Sequence, residues 1–353
     1  MEYNEPRLFV GGASHTEGID IFIEGLPDTD IDLAALQAHC DRRRAQRGDV
    51  YATARAEADT LVLREKTPHS IRFFVANTAQ RSGDYEATRH IPRPSHADYP
   101  AYVRSGGAED LRGGGRWSGR MTLGITAAGG IAKQLLTARG IEVFAHVTAI
   151  GNVTVPRFEG DTRDICAFAA IAGSAFPVLD DGAKRDMLAA IAAAKAEGDS
   201  LGGIVEVVAF GLPAGAGGAL DEGLESAIAA ALFAVPAVKG VEFGDGFALA
   251  AMKGSEANDG YRYENGRVVT TSNRSGGLVG GMTTGMPLVV RAAVKPTPSI
   301  AKPQNSVNLS TRENVTLAIK GRHDACIVPR AAAAIESAVA WSLLKKLSDP
   351  TTR

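Results

Sequence analysis

Strand-like and helix-like sequence patterns alternate along the whole chain, and this alternation limits the folds that the chain can adopt. Apolar residues alternate with their neighbours at positions 19–23 and again at 141–149, as in strands that bury one face. Between these segments, residues 118–139 have a helical pattern that ends at Gly140. Helices and sheets that recur in this way bury their apolar faces against each other in layers. The pattern therefore predicts an α/β protein.

The other segments continue the alternation. Thr29 and Asp32 have the spacing of a capping box, which predicts a helix that begins near Leu33. We predict further helices at residues 184–197, 224–233 and 329–347, the last opened by Pro329, and extended segments at residues 203–210, 241–252, 287–294 and 315–319. The polar residues 258–271 are expected to form a surface loop.

The 353 residues contain neither a low-complexity linker nor a repeat of fixed period that would divide them. We therefore expect one large β-α-β sandwich domain over residues 1–347, in which antiparallel sheets cover the helices, and a short tail at 348–353. Apolar helix faces such as that formed by Ile228, Ala231 and Leu232 are expected in the core.

The composition restricts the partners of the protein. A net charge of −2 provides no general attraction to nucleic acid or to an anionic membrane. The first residues lack the basic and apolar character of a signal peptide, and no apolar stretch reaches the roughly 20 residues that span a bilayer. Three cysteines without CxxC spacing predict no disulfide framework and no metal site. We expect a cytoplasmic protein without a metal, nucleic-acid or membrane partner.

Two long segments contain basic residues and no acidic ones. The cations of residues 111–141 are Arg112, Arg116, Arg120, Lys133 and Arg139, and those of residues 265–312 are Arg267, Arg274, Arg291, Lys295, Lys302 and Arg312. Glycines 113–115 lie among the first group and let backbone amides approach an anion, while guanidinium groups suit phosphate and carboxylate. The segments are expected to converge on anions, although a solvated basic surface is the alternative.

Common nucleotide and zinc-protease motifs are absent, but other motifs are present. The sequence has no GxGxxG after a strand, no GxxxxGK[ST] and no HExxH. It does contain HADY at residues 96–99, RGGGRWSGR at 112–120, KPTPSI at 295–300 and GRHDACIVPR at 321–330. The segments RSGDY at 81–85, PAVKGVE at 236–242 and the glycines from Gly276 to Gly285 accompany them. In this order, over about residues 8–345, they resemble the motifs of chorismate synthases.

This resemblance implies a lyase of aromatic amino-acid biosynthesis by the shikimate pathway. The family converts 5-enolpyruvylshikimate 3-phosphate to chorismate and phosphate, and it needs reduced FMN although the reaction has no net redox change. The resemblance also implies a homotetramer. Either the protein reduces its own flavin with NADPH, as some relatives do, or a separate flavin reductase supplies it.

The resemblance further implies the site residues. FMN would be bound by Arg116, Trp117, Ser118, Pro236, Ala237, Gly280, Lys295, Pro296, Thr297, Pro298, Ser299 and Arg322. The substrate's phosphate and two carboxylates would meet Arg43, Arg44, Arg47, Arg120 and Arg322.

The acid–base roles come from the same resemblance. His15, next to Ser14, would protonate the departing phosphate, and His96 would serve the flavin near N1. Asp324 would assist proton removal at the N5 edge, with Ser118 nearby. A histidine is suited to give a proton near neutral pH, and a buried aspartate near an anionic flavin is expected to have a raised pKa. His39, His69, His90 and His146 are interpreted as structural residues.

Some residues near the expected site differ from the family pattern. Residues 12–16 read GASHT where the family has GESHG, Ala45 and Gln46 replace Pro-Gly, and Trp117 replaces a small residue. Two alternatives therefore stay open. One is a flavin-dependent paralogue that acts on a related phosphorylated cyclohexene acid, and the other is a catalytically impaired FMN-binding protein.

Overall fold

The computed structural model describes residues 5–44, 49–52, 58–78, 89–108, 112–159, 164–319 and 324–348. In chain order its strands are β1 Arg7–Gly12, β2 Gly18–Glu24, β3 Val62–Thr67, β4 Ser70–Ala76, β5 Glu142–Ile150, β6 Val153–Thr154, β7 Gly203–Phe210, β8 Val238–Phe243, β9 Tyr261–Glu264, β10 Arg267–Thr270, β11 Leu278–Val279, β12 Met282–Thr283, β13 Leu288–Val294, β14 Gln304–Asn308 and β15 Glu313–Leu317. Its helices are α1 Leu33–Asp41, α2 Asp98–Ser105, α3 Thr122–Thr137, α4 Ile165–Ile171, α5 Asp181–Ala196, α6 Leu224–Phe233, α7 Gly254–Ala257 and α8 Val328–Ser348.

Two larger sheets enclose a layer of helices. One has four strands in the order β1-β2-β4-β3, the other has five in the order β6-β5-β7-β13-β8, and the strands within each pair antiparallel. Helix α3 contacts β1 and β2 of the first sheet and packs along α8, which in turn contacts β5 and β7 of the second. The predicted β-α-β sandwich with antiparallel sheets is confirmed, while the domain limits at 1 and 347 stay a prediction.

The strand periodicity explains how the five-stranded sheet is buried. On β5, Val143, Ala145 and Val147 belong to the main core with the helices, and Phe144 lies in a second apolar cluster with Phe168. Successive side chains of a strand point to opposite faces, so both faces of this sheet are covered. The main core contains Ile228 and Leu232 and has Ala231 packed against it, as predicted.

Helix α8 runs through the centre of the sandwich and is buried around its whole circumference from Ala332 to Leu344. Its Glu336 is fully buried and accepts hydrogen bonds from Arg42 at 2.8 and 2.9 Å, with Lys133 as a further ion-pair partner. Burial by itself raises the pKa of Glu336, but the charges of Lys133 and Arg42 outweigh that effect and hold it well below its ordinary value. The cations thus compensate a charge that would otherwise be costly in the core.

Several predicted elements need correction. Asp32, rather than Thr29, caps α1, because its carboxylate accepts from the amides of Ala34 and Ala35. Residues 241–252 do not stay extended: β8 ends at Phe243 and a 3₁₀ helix follows at Gly246–Ala251. Residues 258–271 are not a loop, since β9 and β10 pair there as a hairpin. Among the described residues, no helix is long and apolar enough to span a bilayer.

Candidate active site

Three consecutive glycines form a turn just before α3, and we call residues 113–115 the triglycine turn. All three have left-handed backbones, with φ angles of 58°, 90° and 52°. A Cβ atom on Gly113 would lie 2.2 Å from Cε1 of His15, and one on Gly114 would lie 3.2 Å from Cε1 of His96. Only glycine meets both the conformational and the spatial requirement. His15 therefore packs against Gly113, and His96 packs against Gly114.

Ser14 and His15 lie in the connection from β1 to β2. The Ser14 amide donates to the Gly115 carbonyl at 3.3 Å, which attaches this connection to the triglycine turn. The Ser14 hydroxyl lies 3.2 Å from Nδ1 of His15. Thr16, one of the residues that depart from the family pattern, closes the connection locally: its hydroxyl accepts from the Ala13 amide at 2.9 Å. The altered residues thus form a turn that still holds Ser14 and His15 against the glycines.

His96 has a carboxylate partner two residues along the chain. Its Nδ1 lies 2.6 Å from Oδ1 of Asp98, the first residue of α2, and Arg93 donates to the same carboxylate from Nε at 2.7 Å. Burial by itself raises the pKa of Asp98, but the hydrogen bonds from Arg93 and His96 outweigh it and hold the pKa well below its ordinary value. Asp98 is therefore ionised near neutral pH.

Residues 295–299 leave the end of β13 and reach the same region, and we call them the 295–299 segment. Arg93 donates from Nη1 to the Ser299 hydroxyl at 3.3 Å, which joins this segment to His96 and Asp98. At its other end, the Lys295 amide donates to the carbonyl of Ala237 at 2.9 Å. Ala237 has a left-handed φ of 74°, a strained conformation for a residue with a side chain. The backbone of Ala237 thus meets the 295–299 segment, and the predicted FMN contacts of Pro236 and Ala237 stay predictions.

The 295–299 segment carries features that suit an anion. Burial, and then the positive charge of Lys239, lowers the pKa of Lys295. Two cations held near each other raise the local positive potential. The side-chain oxygen of Thr297 is buried and has no hydrogen-bond partner among the described residues. A hydroxyl in that state can donate to a ligand.

Arg43 and Arg120 share one buried carboxylate. Asp59 accepts from Arg43 Nη1 at 2.6 Å with one oxygen and from Arg120 Nη1 at 2.5 Å with the other. Burial lowers the pKa of Arg43, and the nearby charges of Arg330 and Arg120 lower it further against the opposing effect of Asp59. The Arg43 side chain is 4% exposed, and its Nη2 donates to the backbone of Gly119. The buried Arg43 thus shares Asp59 with Arg120, and its predicted contact with the substrate stays a prediction.

Asn77 connects Arg120 to the turn that carries His15. Its side-chain oxygen accepts from Arg120 Nε at 2.5 Å, while its NH₂ group donates to the carbonyls of Ala13 and Thr16 at 3.0 and 2.8 Å. The hydrogen bonds of Ser118 are local: its hydroxyl accepts from the Arg120 amide at 3.3 Å. Ser14, His15, His96, Ser118 and Arg120 are thus gathered around the triglycine turn.

Asp324 joins this arrangement through Arg330 of α8. Arg330 donates to Asp324 at 2.6 Å from Nη1 and to the backbone carbonyl of Arg43 at 2.8 Å from Nε. Arg330 is thus one partner of Asp324, whereas Arg322 and Arg47 lie outside the described residues. Arg44 is about one-third exposed and pairs with Asp41 at 3.1 Å. Its predicted contact with the substrate stays a prediction.

Several cations of the two basic segments have acidic partners, and the predicted convergence of these segments on anions stays a prediction. Among their cations, Lys133 is paired with Glu336, Arg274 with Asp245, Arg291 with Glu242, and Lys302 with Glu197 and Asp199. Gly280 lies in the β11–β12 turn, and the next residue, Gly281, accepts from the first amide of α6. Ala237 follows the other end of α6, a helix of 10 residues and so about 15 Å long. The structure therefore separates Gly280 from Ala237 and Lys295.

Comparison with known families decides the relationship. A family model described as chorismate synthase matches residues 7–347. The chain belongs to the chorismate synthase family.

Individual members of the chorismate synthase family are similar over nearly their full length. The chorismate synthase of Thermococcus kodakarensis is 44% identical, with 95% of this chain and 94% of its own covered. That of Aeropyrum pernix is 42% identical, with coverage of 95% and 89%. A chorismate synthase crystal structure superposes with a TM-score of 0.76 at 25% identity, over 98% of this chain and 92% of the other. The family resemblance of the motifs and the fold class are thereby confirmed.

Sequence reasoning missed several residues of this chorismate synthase site: Asp59, Asn77, Arg93, Asp98, Lys239 and Arg330. Three of them had a signal, because Asp98 lies in the HADY motif, Lys239 in PAVKGVE and Arg330 at the end of GRHDACIVPR. Asp59 and Asn77 had none, since their partners are 16 to 64 residues away in the chain. Such partners become visible only once the fold is known.

Proposed function

We propose that the protein is a chorismate synthase, a lyase that eliminates phosphate from 5-enolpyruvylshikimate 3-phosphate to give chorismate, with reduced FMN as cofactor. One observation supports this proposal: the triglycine turn contacts His15 at Gly113 and His96 at Gly114, next to an arginine network. In the elimination, a C–H bond and the C–O bond to phosphate break and a second ring double bond forms. The site must therefore bind anions and give and accept protons.

The 295–299 segment fits the flavin phosphate. Lys295 and Lys239 supply positive charge, and the buried Thr297 hydroxyl is free to donate to a phosphate oxygen. Arg116 is exposed next to the triglycine turn, and Trp117 is half-buried beside it. These residues, with Ser118, Pro236, Ala237 and Ser299, would hold FMN. When bound, reduced FMN would supply an electron-rich ring beside the substrate in a reaction without net redox change.

The substrate's anions fit the arginine network. Arg43 and Arg120 share Asp59, and Arg330 pairs with Asp324, so three guanidinium groups lie in one network that would attract the substrate's anions. Within this network His15 would give a proton to the departing phosphate, because phosphate leaves more readily once protonated. His96 would hold a proton near flavin N1, and Asp324 would help to remove the proton at the N5 edge.

The assembly and the flavin supply belong to the same proposal. We expect a homotetramer in the cytoplasm, with NADPH as reductant if the protein reduces its own flavin, or with a separate flavin reductase otherwise. The paralogue and the impaired FMN-binding protein remain the competing functions. Turnover of 5-enolpyruvylshikimate 3-phosphate distinguishes them.

Lys295→Ala tests the cofactor site, with Lys302→Ala as a matched control. Lys302 lies seven residues further along and pairs with Glu197 and Asp199 at the surface. Loss of a charge-assisted hydrogen bond costs about 1.5–3 kcal/mol, or roughly 10- to 150-fold in affinity. Titration of FMN, with and without substrate, should show this loss for Lys295→Ala and none for Lys302→Ala. Equal affinities of both variants would contradict the assignment of the 295–299 segment.

A further inference from the structure

The carboxylate of Asp98 is fixed from several directions. Arg93 donates to Oδ2 from its backbone amide at 3.0 Å and from Nε at 2.7 Å, and to Oδ1 from Nη2 at 2.9 Å. The side chains of Arg93 and Asp98 are 19% and 12% exposed. A bidentate arginine–carboxylate pair with little exposure is held in one geometry. Asp98 therefore presents Oδ1 to His96 in a defined direction.

The contact between Asp98 and His96 determines the position of a ring proton. Oδ1 of an ionised carboxylate can only accept, so Nδ1 of His96, 2.6 Å away, must carry the proton between them. Arg93 Nη2 lies 3.1 Å from the same Nδ1. Because both atoms are then donors, Arg93 directs its proton to Asp98 rather than to the ring. The neutral form of His96 is consequently the Nδ1–H tautomer.

This tautomer leaves Nε2 of His96 available to the active site. Nε2 faces the triglycine turn, where a Cβ on Gly114 would lie 3.3 Å from it. Glycine at position 114 keeps that space open for a reacting group. The imidazole thus has one nitrogen bound to Asp98 and the other directed toward the place where the proposed chemistry occurs.

Arg93 also links this histidine to the proposed cofactor segment. Its Nη1 donates to the Ser299 hydroxyl at 3.3 Å while its other groups hold Asp98. The chain around Arg93 is itself anchored, because the Ser306 hydroxyl of β14 donates to the carbonyl of Pro92 at 2.5 Å. Ser95 then takes a left-handed φ of 58° before His96. One arginine therefore sets the relative position of His96 and the 295–299 segment.

We propose that Asp98 is a positioning residue for His96: it holds the imidazole as the Nδ1–H tautomer with Nε2 toward the triglycine turn, and Arg93 fixes the carboxylate and ties it to Ser299. This inference rests on the proposed function only for the role of His96 in turnover. The tautomer itself follows from the geometry. Asp98 acts through His96 and needs no contact with substrate or cofactor.

The test combines spectroscopy with kinetics. In the wild-type protein labelled with ¹⁵N-histidine, and with the His96 signals assigned by His96→Gln, NMR at pH values where the ring is neutral should show Nδ1 protonated and Nε2 unprotonated. Asp98→Asn keeps the shape but allows its NH₂ group to donate to Nδ1, which moves the ring proton to Nε2. Its kcat should fall at least tenfold with KM for the substrate nearly unchanged, because orientation of the base is lost.

The controls separate positioning from folding and from the proposed function. Asp20→Asn removes a carboxylate that pairs with Arg72 on the exposed side of β2, and it should leave tautomer and kcat unchanged. Arg93→Lys keeps the charge but loses the bidentate geometry and should give an intermediate kcat. An Nε2–H tautomer in the wild type, or full kcat in a folded Asp98→Asn, would overturn the proposal. If the wild type has the Nδ1–H tautomer but no turnover, the proposed function fails and the positioning of His96 stands.

Discussion

Replacing Asp59 by asparagine should destabilise the fold far more than the loss of an ordinary ion pair. Asp59 is 5% exposed and is the shared carboxylate of Arg43 and Arg120, which are 4% and 10% exposed. The substitution keeps the size of the side chain and leaves two buried guanidinium groups without their counter-charge. Breaking a buried pair by removing one partner costs about 3–5 kcal/mol. We expect that loss in the free energy of unfolding.

Asp20→Asn provides the matched comparison. Asp20 and Arg72 are also joined at 2.6 Å, but their side chains are 36% and 48% exposed, and exposed pairs contribute about 0–1 kcal/mol. Both variants are unfolded in urea at one protein concentration, with circular dichroism as the probe and the free energy obtained by linear extrapolation. Asp59→Asn should also lower substrate affinity, because Arg120 loses the carboxylate that orients it. Equal free energies of unfolding for the two variants would refute the reasoning from burial.

Two further predictions concern the triglycine turn and the buried His39. Gly113→Ala should abolish most turnover, because its Cβ would lie 2.2 Å from Cε1 of His15. Gly106→Ala is the control: its φ of 60° is similar, but no atom lies within 4 Å of its Cβ, so it should add only backbone strain and keep turnover. Similar turnover in both variants would contradict the role of the turn. Burial lowers the pKa of His39 to about 3, below its usual value, so the unfolded chain binds a proton that the folded protein does not as the pH falls from about 6.5. The free energy of unfolding should therefore fall by up to about 1.4 kcal/mol per pH unit as the pH is lowered below about 6.5. His39→Asn should make this fall less steep between pH 6 and 5. An unchanged slope, measured by urea unfolding at each pH, would argue against the prediction.

The success of sequence-based prediction differed between elements for physical reasons. Residues 203–210 and 224–233 were predicted with their observed limits, because the first is a nearly continuous apolar run bounded by glycines and the second has apolar residues at helical spacing. Residues 241–252 were predicted wrongly, since glycines at 244 and 246 with φ angles of 55° and 53° turn the chain after β8. The β9–β10 hairpin was missed although Asn265-Gly266 is a typical two-residue hairpin turn, because its strands are only four residues long and largely exposed.

The site shows the same division. The triglycine turn, His15 and His96 could be found from motifs, because only glycine suits such a turn and histidine is the side chain that transfers protons near neutral pH. The contact of Arg43 with Asp59 could not, since the two residues lie 16 positions apart in the chain and meet only in the fold. The residue type limits the chemistry that a side chain can perform, whereas the fold determines which other residues it contacts.

Turnover under anaerobic conditions tests the central claim most directly. Chemically reduced FMN and 5-enolpyruvylshikimate 3-phosphate are supplied to the wild-type protein, which removes any dependence on a reductase. Chorismate is followed by the absorbance of its conjugated diene, and phosphate is measured independently. The account predicts both products in equal amounts, and none while FMN stays oxidised. Tight binding of reduced FMN with neither product formed would contradict it.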